Sequence, residues 1–247
     1  MSLAFAKHFS KKQLAYLRHA GLGSGNQLAS LPNTRRASLV AAGGTAAVVA
    51  ANSVPTTFGT AAITLPTPAV PWLRTNFLSA ATANSPAFVT DQPSHLWSQK
   101  PLFQAGVNPG GVITLSRFWL GLANAVWTNM LGSDTPGSTF AVSGAGFRFS
   151  ATTADANWMC ATYDGVGQTV VNSGVPVAAG AGKLFEIYDG GTSTSFRING
   201  VEVASIATTR PAAAAVMRMG WGVQTLEAVA KSVDLGWLYT QTEVAVP

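Results

Sequence analysis

The sequence predicts an all-β protein: an antiparallel β-sandwich or jelly roll, preceded by an extended N-terminal arm that contains one short helix. The first observation behind this prediction is a series of short segments between residues 112 and 240 in which apolar and polar residues alternate. The second is that turn sequences such as Asp164-Gly165 and Asp189-Gly190-Gly191 separate these segments. The third is a β-hairpin signal at residues 196–203. A closed barrel is the second choice for the same pattern.

Residues 1–71 are predicted to form the arm. Ser10-Lys11-Lys12-Gln13 is a capping-box pattern before a helix-favouring stretch that Gly21 ends. From there to residue 71, Ala, Gly, Thr, Ser, Val and Pro dominate, and large side chains are few. Such a segment cannot build its own core, so we expect an arm that becomes ordered along a partner and adds a strand at residues 60–65.

Large side chains return after the arm. Residues 72–111 are predicted to be a connecting segment that packs on the body, and residues 112–247 to be the sandwich domain. The strands predicted in that domain are Val112–Leu122, Phe140–Ser150, Asn157–Tyr163, Gln168–Asn172, Lys183–Tyr188, Ser193–Asn199, Val201–Thr208, Met217–Thr225 and Val233–Thr240. Short strands at this regular spacing are typical of a sandwich.

One hairpin is predicted residue by residue. Asn199-Gly200 supplies the two positive-φ positions that a type I′ turn requires. The pairs that this two-residue loop predicts are Ile198 with Val201, Phe196 with Val203 and Arg197 with Glu202. We expect the four apolar side chains to lie on the buried face and the charged pair on the solvent face.

Charge is unevenly distributed along the chain. Charged residues make up 10% of it and the mean hydropathy is +0.25, against about 25% charged residues in ordinary globular proteins. Residues 1–90 hold seven Lys or Arg and no Asp or Glu, a charge of +7, whereas residues 91–247 hold eight Lys or Arg and ten Asp or Glu, a charge of −2. The seven cations, named here the basic arm residues, are Lys7, Lys11, Lys12, Arg18, Arg35, Arg36 and Arg74.

The basic arm residues indicate an acidic partner: another protein's surface, nucleic acid or an anionic membrane, with a solvated tail as the alternative. Nucleic acid is the weaker interpretation because the arm has neither an arginine-rich block nor regularly interleaved aromatic residues. The low charge of the remaining chain favours self-association, because large exposed apolar patches usually mark interaction sites.

The single cysteine, Cys160, excludes an intramolecular disulfide and a cysteine-based zinc site, and we expect it to be an apolar strand residue. The N-terminal apolar run at residues 3–6 is too short for the core of a secretory signal. Residues 39–51 are too few and too rich in Gly and Ala to span a bilayer. We therefore expect a protein that is made and assembles in a cytoplasm, without a membrane partner.

Several short motifs occur in an order that is shared with a known family. They are Ser116-Arg117-Phe118-Trp119-Leu120-Gly121-Leu122, Gly132-Ser133-Asp134-Thr135-Pro136, Gly146-Phe147-Arg148-Phe149-Ser150, Asp155-Ala156-Asn157-Trp158, Tyr163-Asp164-Gly165, Gln168-Thr169-Val170-Val171, Gly174-Val175 and Phe196-Arg197-Ile198-Asn199-Gly200. Over roughly residues 112–240, the chain resembles a lectin-like β-sandwich domain of tailed-bacteriophage structural proteins. Such domains occur in fibre, spike and decoration proteins, so the resemblance implies a virion surface component, and it suggests a trimer.

No catalytic residue, cofactor or metal is predicted. The carboxylates that are candidates for a glycosidase pair are Asp155, Asp164, Glu186, Asp189, Glu202 and Asp234. Asp164 and Asp189 lie in turns, where Asp is expected for backbone reasons, and Glu202 has a predicted cross-strand partner. The loop acids Asp134, Asp155 and Asp164 are candidates for calcium, but turn chemistry explains them better because no EF-hand spacing is present.

Tryptophan suggests a glycan-binding alternative. The chain has seven Trp residues, and an exposed indole can stack on the apolar face of a sugar. Trp119, Trp158 and Trp237 lie in strand-like segments and are expected in the core. The candidate glycan contacts are Trp97, Trp127 and Trp221, although a core or interface position is the commoner role of such residues.

The sequence therefore predicts a non-enzymatic virion structural protein that its basic arm anchors to the major capsid protein or to baseplate proteins. Capsid decoration, or cement, is favoured over a long fibre because the chain has no coiled coil or repeat from which to build a shaft. The alternative is a short tail or baseplate fibre, or a receptor-binding protein that recognises a host surface polysaccharide. A polysaccharide-cleaving enzyme is the third interpretation.

Overall fold

In a computed structural model of the chain, the described residues are 35–41, 48–49, 56–58, 60–64, 74–90, 95–125 and 142–243. They form two antiparallel β-sheets that enclose a common core. The predicted all-β sandwich is confirmed. Within these ranges the helical structure is a short 3₁₀ turn at Trp97–Gln99, and the predicted N-terminal helix lies outside them.

The strands follow one another along the chain with short connections. In chain order they are β1 (Arg35–Ala41), β2 (Val48–Val49), β3 (Thr56–Phe58), β4 (Thr60–Thr64), β5 (Arg74–Leu78), β6 (Pro86–Thr90), β7 (His95–Leu96), β8 (Leu102–Pro109), β9 (Ser116–Ala123), β10 (Ser143–Ser150), β11 (Asn157–Asp164), β12 (Gln168–Pro176), β13 (Lys183–Asp189), β14 (Thr194–Ile198), β15 (Val201–Ile206), β16 (Val216–Thr225) and β17 (Ser232–Glu243).

Among the described residues, one sheet has nine strands and the other has eight. The nine-stranded sheet has the order β15-β14-β13-β8-β17-β1-β2, with β5 paired to β17 and β4 paired to β5. The eight-stranded sheet has the order β12-β11-β10-β9-β16-β6-β3, with β7 paired to β16. Neighbours in both sheets come from distant parts of the sequence, as in β9 beside β16 and β8 beside β17.

The core lies between the sheets because the apolar residues of facing strands alternate with period two. Aromatic rings meet across the interface: Phe147 of the eight-stranded sheet lies 5.0 Å from Phe185 of the nine-stranded sheet, measured between ring centroids. The Trp158 ring is 4.8 Å from the same Phe185 ring. Contacts of this edge-to-face kind add about 0.5–1.5 kcal/mol to the free energy of burying the rings.

Strands are present at all nine predicted positions of the sandwich domain, with differences at their ends. The first predicted strand begins at Ser116 rather than Val112, because Leu115 has a φ of 47° and ends a turn. Residues 140–141 of the second predicted strand lie outside the described part of the chain. Strand β15 ends at Ile206, before the positive φ of Thr209.

The predicted hairpin is confirmed at its turn and corrected in its register. Asn199 and Gly200 both have positive φ, 53° and 83°. The pairs Ile198–Val201 and Arg197–Glu202 are present, but a bulge between Phe196 and Arg197 pairs Phe196 with Ala204 instead of Val203. The expected burial of Val201 is also wrong, since it is 64% exposed on the edge strand of its sheet.

The predicted arm is corrected where its residues are described. Strand β1 pairs with β17 through seven registered residue pairs, from Arg35 opposite Glu243 to Ala41 opposite Trp237. Strand β4, close to the strand expected at residues 60–65, pairs with β5 of the same chain. These residues lie along the chain's own sheets rather than along a partner, because backbone groups of the sheet edges are available to them.

The predicted connecting segment also supplies strands. Within residues 72–111, β8 lies between β13 and β17 near the centre of the nine-stranded sheet. The boundaries predicted at residues 71 and 111 therefore do not separate the strands of the sandwich from the rest of the described chain.

Candidate functional site

The basic arm residues are only partly within the described chain. Lys7, Lys11, Lys12 and Arg18 lie outside it. Arg35 and Arg36 begin β1, and Arg74 begins β5. The sequence-predicted grouping of all seven cations is therefore a prediction for the first four and a set of strand positions for the other three.

The candidate glycan contacts are corrected by burial. Trp97 is 3% exposed and Trp221 is 1% exposed, so neither presents an indole face to a ligand. Trp221 is part of the core, where its ring lies 5.0 Å from the Phe77 ring. Trp97 belongs to the same hydrophobic cluster, and Trp127 lies outside the described residues.

The candidate catalytic carboxylates each have a structural partner. Glu186 accepts hydrogen bonds from Gln104 (2.6 Å) and Arg197 (3.3 Å), and Glu202 accepts one from Ser195 (2.6 Å). The remaining partners are Asn76 and Asn108 for Asp234, Arg210 for Asp189, the backbone N–H of Ser150 for Asp155, and the backbone N–H groups of Val166 and Gly167 for Asp164. The last two bonds lower the pKa of Asp164, as expected for a carboxylate in a turn.

Other chemical groups point the same way. Burial raises the pKa of the Cys160 thiol to about 12, so this side chain stays protonated and unreactive at neutral pH. In the described ranges, no group of three or more His, Cys, Asp or Glu side chains is arranged to hold a metal ion. In the same ranges no helix has the length and apolar character needed to cross a membrane.

The outer face of the eight-stranded sheet, the face turned away from the common core, carries a second apolar cluster. Trp119, Ala123, Ala161 and Tyr163 are at most 2% exposed and pack together there. The ring centroids of Trp119 and Tyr163 are 5.4 Å apart. Strand β9 alternates between Phe118, Leu120 and Leu122 on the core side and Trp119, Gly121 and Ala123 on the outer side.

Glycines beneath this cluster let the Trp119 indole lie against the backbone. A Cβ atom on Gly146 would be 2.5 Å from Cζ2 of Trp119 and 2.8 Å from the carbonyl oxygen of Leu120. Gly121, directly opposite Gly146, has a φ of +147°, which side chains rarely adopt. This part of the sheet therefore requires glycine for both space and backbone conformation.

Three arginines border the cluster on the same outer face. Arg148 of β10 pairs with Trp119, and Arg117 precedes Trp119 by two residues on β9. Arg218 of β16 pairs with Ala123, at the other end of the cluster. In the described strands of this sheet the carboxylate is that of Asp164, whose side chain bonds to its own turn. We name Arg117, Arg148 and Arg218 the arginine face.

Hydrogen bonding on the arginine face is incomplete. The Nε atoms of Arg148 and Arg218 are buried and have no hydrogen-bond partner among the described residues. An Nη of Arg117 donates to the Gln224 side chain at 3.1 Å. A buried donor without a partner costs about 1–3 kcal/mol, so a ligand that supplies an acceptor is favoured there.

Sequence analysis missed the arginine face as a site, although a local signal was present. Each arginine lies beside apolar residues that face the core, as in Phe147-Arg148-Phe149 and Met217-Arg218-Met219. This alternation indicates an outward position. Which strands lie side by side depends on pairing between distant segments, and that pairing brings the three arginines to one face.

No protein-family model matches the chain, and the comparison with curated proteins gives no match. Similar solved structures include a protein of unknown function, SO2946, from Shewanella oneidensis MR-1, with a TM-score of 0.59 and 12% identity over 96% of this chain and 95% of that chain. The β-glucanase of Bacillus licheniformis has a TM-score of 0.52 and 7% identity over 87% of this chain and 100% of that chain.

The carbohydrate recognition domain of Emp47p is also similar, with a TM-score of 0.52 and 9% identity over 79% of this chain and 90% of that chain. Identities this low show a shared fold. The chain is a β-sandwich of the lectin-like, jelly-roll type, an architecture that both carbohydrate-recognition domains and glucanases use.

Proposed function

We propose that this protein is a non-enzymatic structural protein of a tailed-bacteriophage virion, and that it decorates the capsid by displaying the lectin-like sandwich on the particle surface. The observation that carries the proposal is the ordered run of motifs between Ser116 and Gly200, which resembles phage structural domains. In the described chain these motifs lie on β9 to β14 and the turns that follow them.

The chemistry of the sandwich supports a structural rather than a catalytic role. A glycosidase needs two carboxyl groups that face each other across the scissile bond, one of which donates a proton. Here Glu186 and Glu202 share the guanidinium of Arg197, at 3.3 and 3.8 Å. Asp189 and Asp234 are buried against Arg210 and two asparagine amides.

Anchoring is assigned to the four cations that precede β1, namely Lys7, Lys11, Lys12 and Arg18. Arg35, Arg36 and Arg74 lie on strands of the sandwich, so they are less suited to reach a separate protein surface. An acidic surface on capsid subunits would attract the four cations through long-range electrostatics.

Co-sedimentation with capsids that lack the protein tests this proposal. We expect the full-length protein to pellet with capsids at 0.1 M salt, where the Debye length is about 10 Å, and to be released at 1 M, where it is about 3 Å. A full-length variant with Lys7, Lys11, Lys12 and Arg18 changed to Gln should remain in the supernatant at both salt concentrations.

The matched control is a variant with Lys100, Lys183 and Arg197 changed to Gln, which removes charge from the sandwich and should pellet as the parent does. Equal pelleting of the parent and the N-terminal variant would overturn anchoring by these cations. If the parent itself does not pellet, capsid decoration is wrong, and the same assay with tails and baseplates tests the alternative location.

A second candidate function is recognition of a surface polysaccharide by the sandwich. The arginine face favours it, because it combines partly exposed cations with buried donors that have no partner among the described residues. Binding of the full-length protein to a panel of neutral and acidic polysaccharides tests this candidate. Absence of binding to every member would overturn it.

A further inference from the structure

We infer that the arginine face binds an acidic polysaccharide, and that Arg148 and Arg218 contact its carboxylate or sulfate groups. This inference rests on the second candidate function and adds to it a site and the charge of the ligand. The occupant follows from charge complementarity, since guanidinium groups form paired hydrogen bonds with carboxylate and sulfate oxygens.

The two outer faces of the sandwich differ in how their arginines are neutralised. On the nine-stranded sheet, Arg197 lies between Glu186 and Glu202, within 3.3 and 3.8 Å of a carboxylate oxygen of each. On the eight-stranded sheet, the carboxylate within the described strands is that of Asp164, which accepts from Val166 and Gly167 at 2.8 and 2.7 Å. Positive charge is therefore compensated on one face and left for a ligand on the other.

The spacing of the arginines suits a polymer. Arg148 pairs with Trp119, whose partner on β16 is Gly222, four residues after Arg218. Two strand spacings of about 4.8 Å and four residues of about 3.4 Å each place the Arg148 and Arg218 Cα atoms about 17 Å apart. A ligand that reaches both must carry repeated acidic groups along an extended chain.

The state of the side chains favours anion binding. Both arginines are partly exposed, yet the Nε atom of each is buried and has no hydrogen-bond partner among the described residues. An anionic oxygen that binds Nε and an Nη of the same guanidinium satisfies the buried donor and uses the fork geometry of arginine. Lysine offers the same charge without that geometry.

The aromatic residues of the same face favour an acidic glycan over single-stranded nucleic acid or a neutral glycan. Trp119 is 2% exposed and Tyr163 is 0% exposed, and their rings pack on each other. Non-specific binding of single strands relies on exposed aromatic rings on which bases stack. Neutral sugars likewise use exposed aromatic faces, so charge is the recognition element that remains.

Isothermal titration of the full-length protein with polygalacturonate at 50 mM salt tests the inference. The variant is Arg148→Gln/Arg218→Gln, and the matched control is Lys183→Gln/Arg197→Gln, which removes two positive charges elsewhere on the sandwich. We expect the arginine-face variant to bind at least tenfold more weakly than the parent, and the control to bind within twofold of it. Thermal unfolding of each variant, followed by circular dichroism, establishes that the sandwich is intact.

A second variant, Arg148→Lys/Arg218→Lys, keeps the charge and removes the fork. We expect it to bind with an affinity between those of the parent and the glutamine variant. Equal affinity of the glutamine variant and the parent for polygalacturonate would overturn the site while leaving polysaccharide recognition in place.

Two other ligands separate the remaining outcomes. If dextran, a neutral glucan, binds as tightly as polygalacturonate, the acidic ligand class is wrong although the second candidate function stands. If neither polymer binds, both are overturned. If a single-stranded oligothymidylate binds more tightly than polygalacturonate and loses affinity in the arginine-face variant, the face binds nucleic acid and the inference is wrong.

Discussion

Gly146 and Cys160 show how single residues adapt the strands of the eight-stranded sheet to apolar layers on both of its faces. Gly146 leaves room for the Trp119 indole on the outer face, and Cys160, on the neighbouring strand β11, is fully buried in the common core. Neither residue has a partner through a conventional polar contact that would explain its choice. Size and burial explain both.

Replacement of Gly146 by Ala is expected to lower the free energy of unfolding by roughly 1–3 kcal/mol, the usual range for overpacking. The added Cβ would lie 2.8 Å from the Leu120 carbonyl oxygen, a backbone atom that cannot rotate away, and 2.5 Å from the Trp119 ring. Urea unfolding measures the change. Gly111→Ala is the control, since a Cβ there has no atom within 4 Å, and an equal loss in both variants would contradict the explanation.

The buried thiol of Cys160 predicts a difference in alkaline stability. Its pKa is raised from 9.0 to about 12 in the folded protein, so the unfolded chain ionises first and the contribution to stability is complete below about pH 9 and lost as the pH rises towards 12. The free energy of unfolding of the parent should fall more steeply over this range than that of Cys160→Ala. Parallel curves for the two proteins would contradict the raised pKa.

The same thiol should be shielded from a disulfide reagent. In the native protein at pH 8, Cys160 is 0% exposed and almost entirely protonated, and the thiolate is the reactive form. We expect reaction with Ellman's reagent to be slow and limited by unfolding, and to become fast in denaturing urea. Rapid stoichiometric reaction without denaturant would show that this position is accessible.

At the scale of elements, the hairpin β14–β15 is held to the sheet through its turn. Asn199 adopts the left-handed conformation, and its side-chain oxygen accepts a hydrogen bond of 2.9 Å from the Leu184 N–H. Its own N–H donates to the Leu184 carbonyl oxygen at 2.8 Å. The turn residue therefore serves the hairpin and also connects it to β13.

Two substitutions separate these roles of Asn199. Asn199→Gly keeps the left-handed conformation and removes the side-chain hydrogen bond, at a cost of about 1 kcal/mol. Asn199→Ala removes the bond and adds about 1–2 kcal/mol for a left-handed residue with a Cβ. We expect alanine to lower the free energy of unfolding by roughly twice as much as glycine, and equal losses would show that backbone conformation contributes nothing.

At the scale of the whole molecule, residues that come early in the sequence complete the sheets of the later strands. Strand β1 covers one edge of β17 from residue 237 to residue 243, and β5 covers the same strand from residue 232 to residue 235. An uncovered strand of this length presents a row of unpaired backbone groups and is prone to associate with other chains.

Two N-terminal truncations should therefore behave differently. A protein of residues 35–247 retains β1 and is expected to unfold at nearly the temperature of the full chain. A protein of residues 42–247 lacks β1, and we expect a lower unfolding temperature and aggregation detectable by light scattering, because the edge of β17 is exposed. Identical behaviour of the two truncations would mean that β1 contributes little to the sandwich.

The sequence was most informative where structure depends on neighbouring residues. The turn at Asn199-Gly200 follows from the need for two positive-φ residues, and the strands from β9 to β17 follow from alternation and turn chemistry. Strand β8 was missed because its polar residues Gln104 and Asn108 are buried, each through a hydrogen bond to a carboxylate on a strand that sequence order does not identify. The bulge at Phe196 was missed for a similar reason, since register is decided by both strands and their surroundings.

By itself, the sequence determined the all-β class, the position of the hairpin turn and the outward direction of residues such as Arg148, because turn conformation and side-chain period are local properties. Only the tertiary structure decided that β10, β9 and β16 are adjacent, that Trp97 and Trp221 are buried, and that Arg117, Arg148 and Arg218 share one face. Strand neighbours are selected by the joint burial of distant apolar residues between two sheets, and that selection is a property of the whole chain.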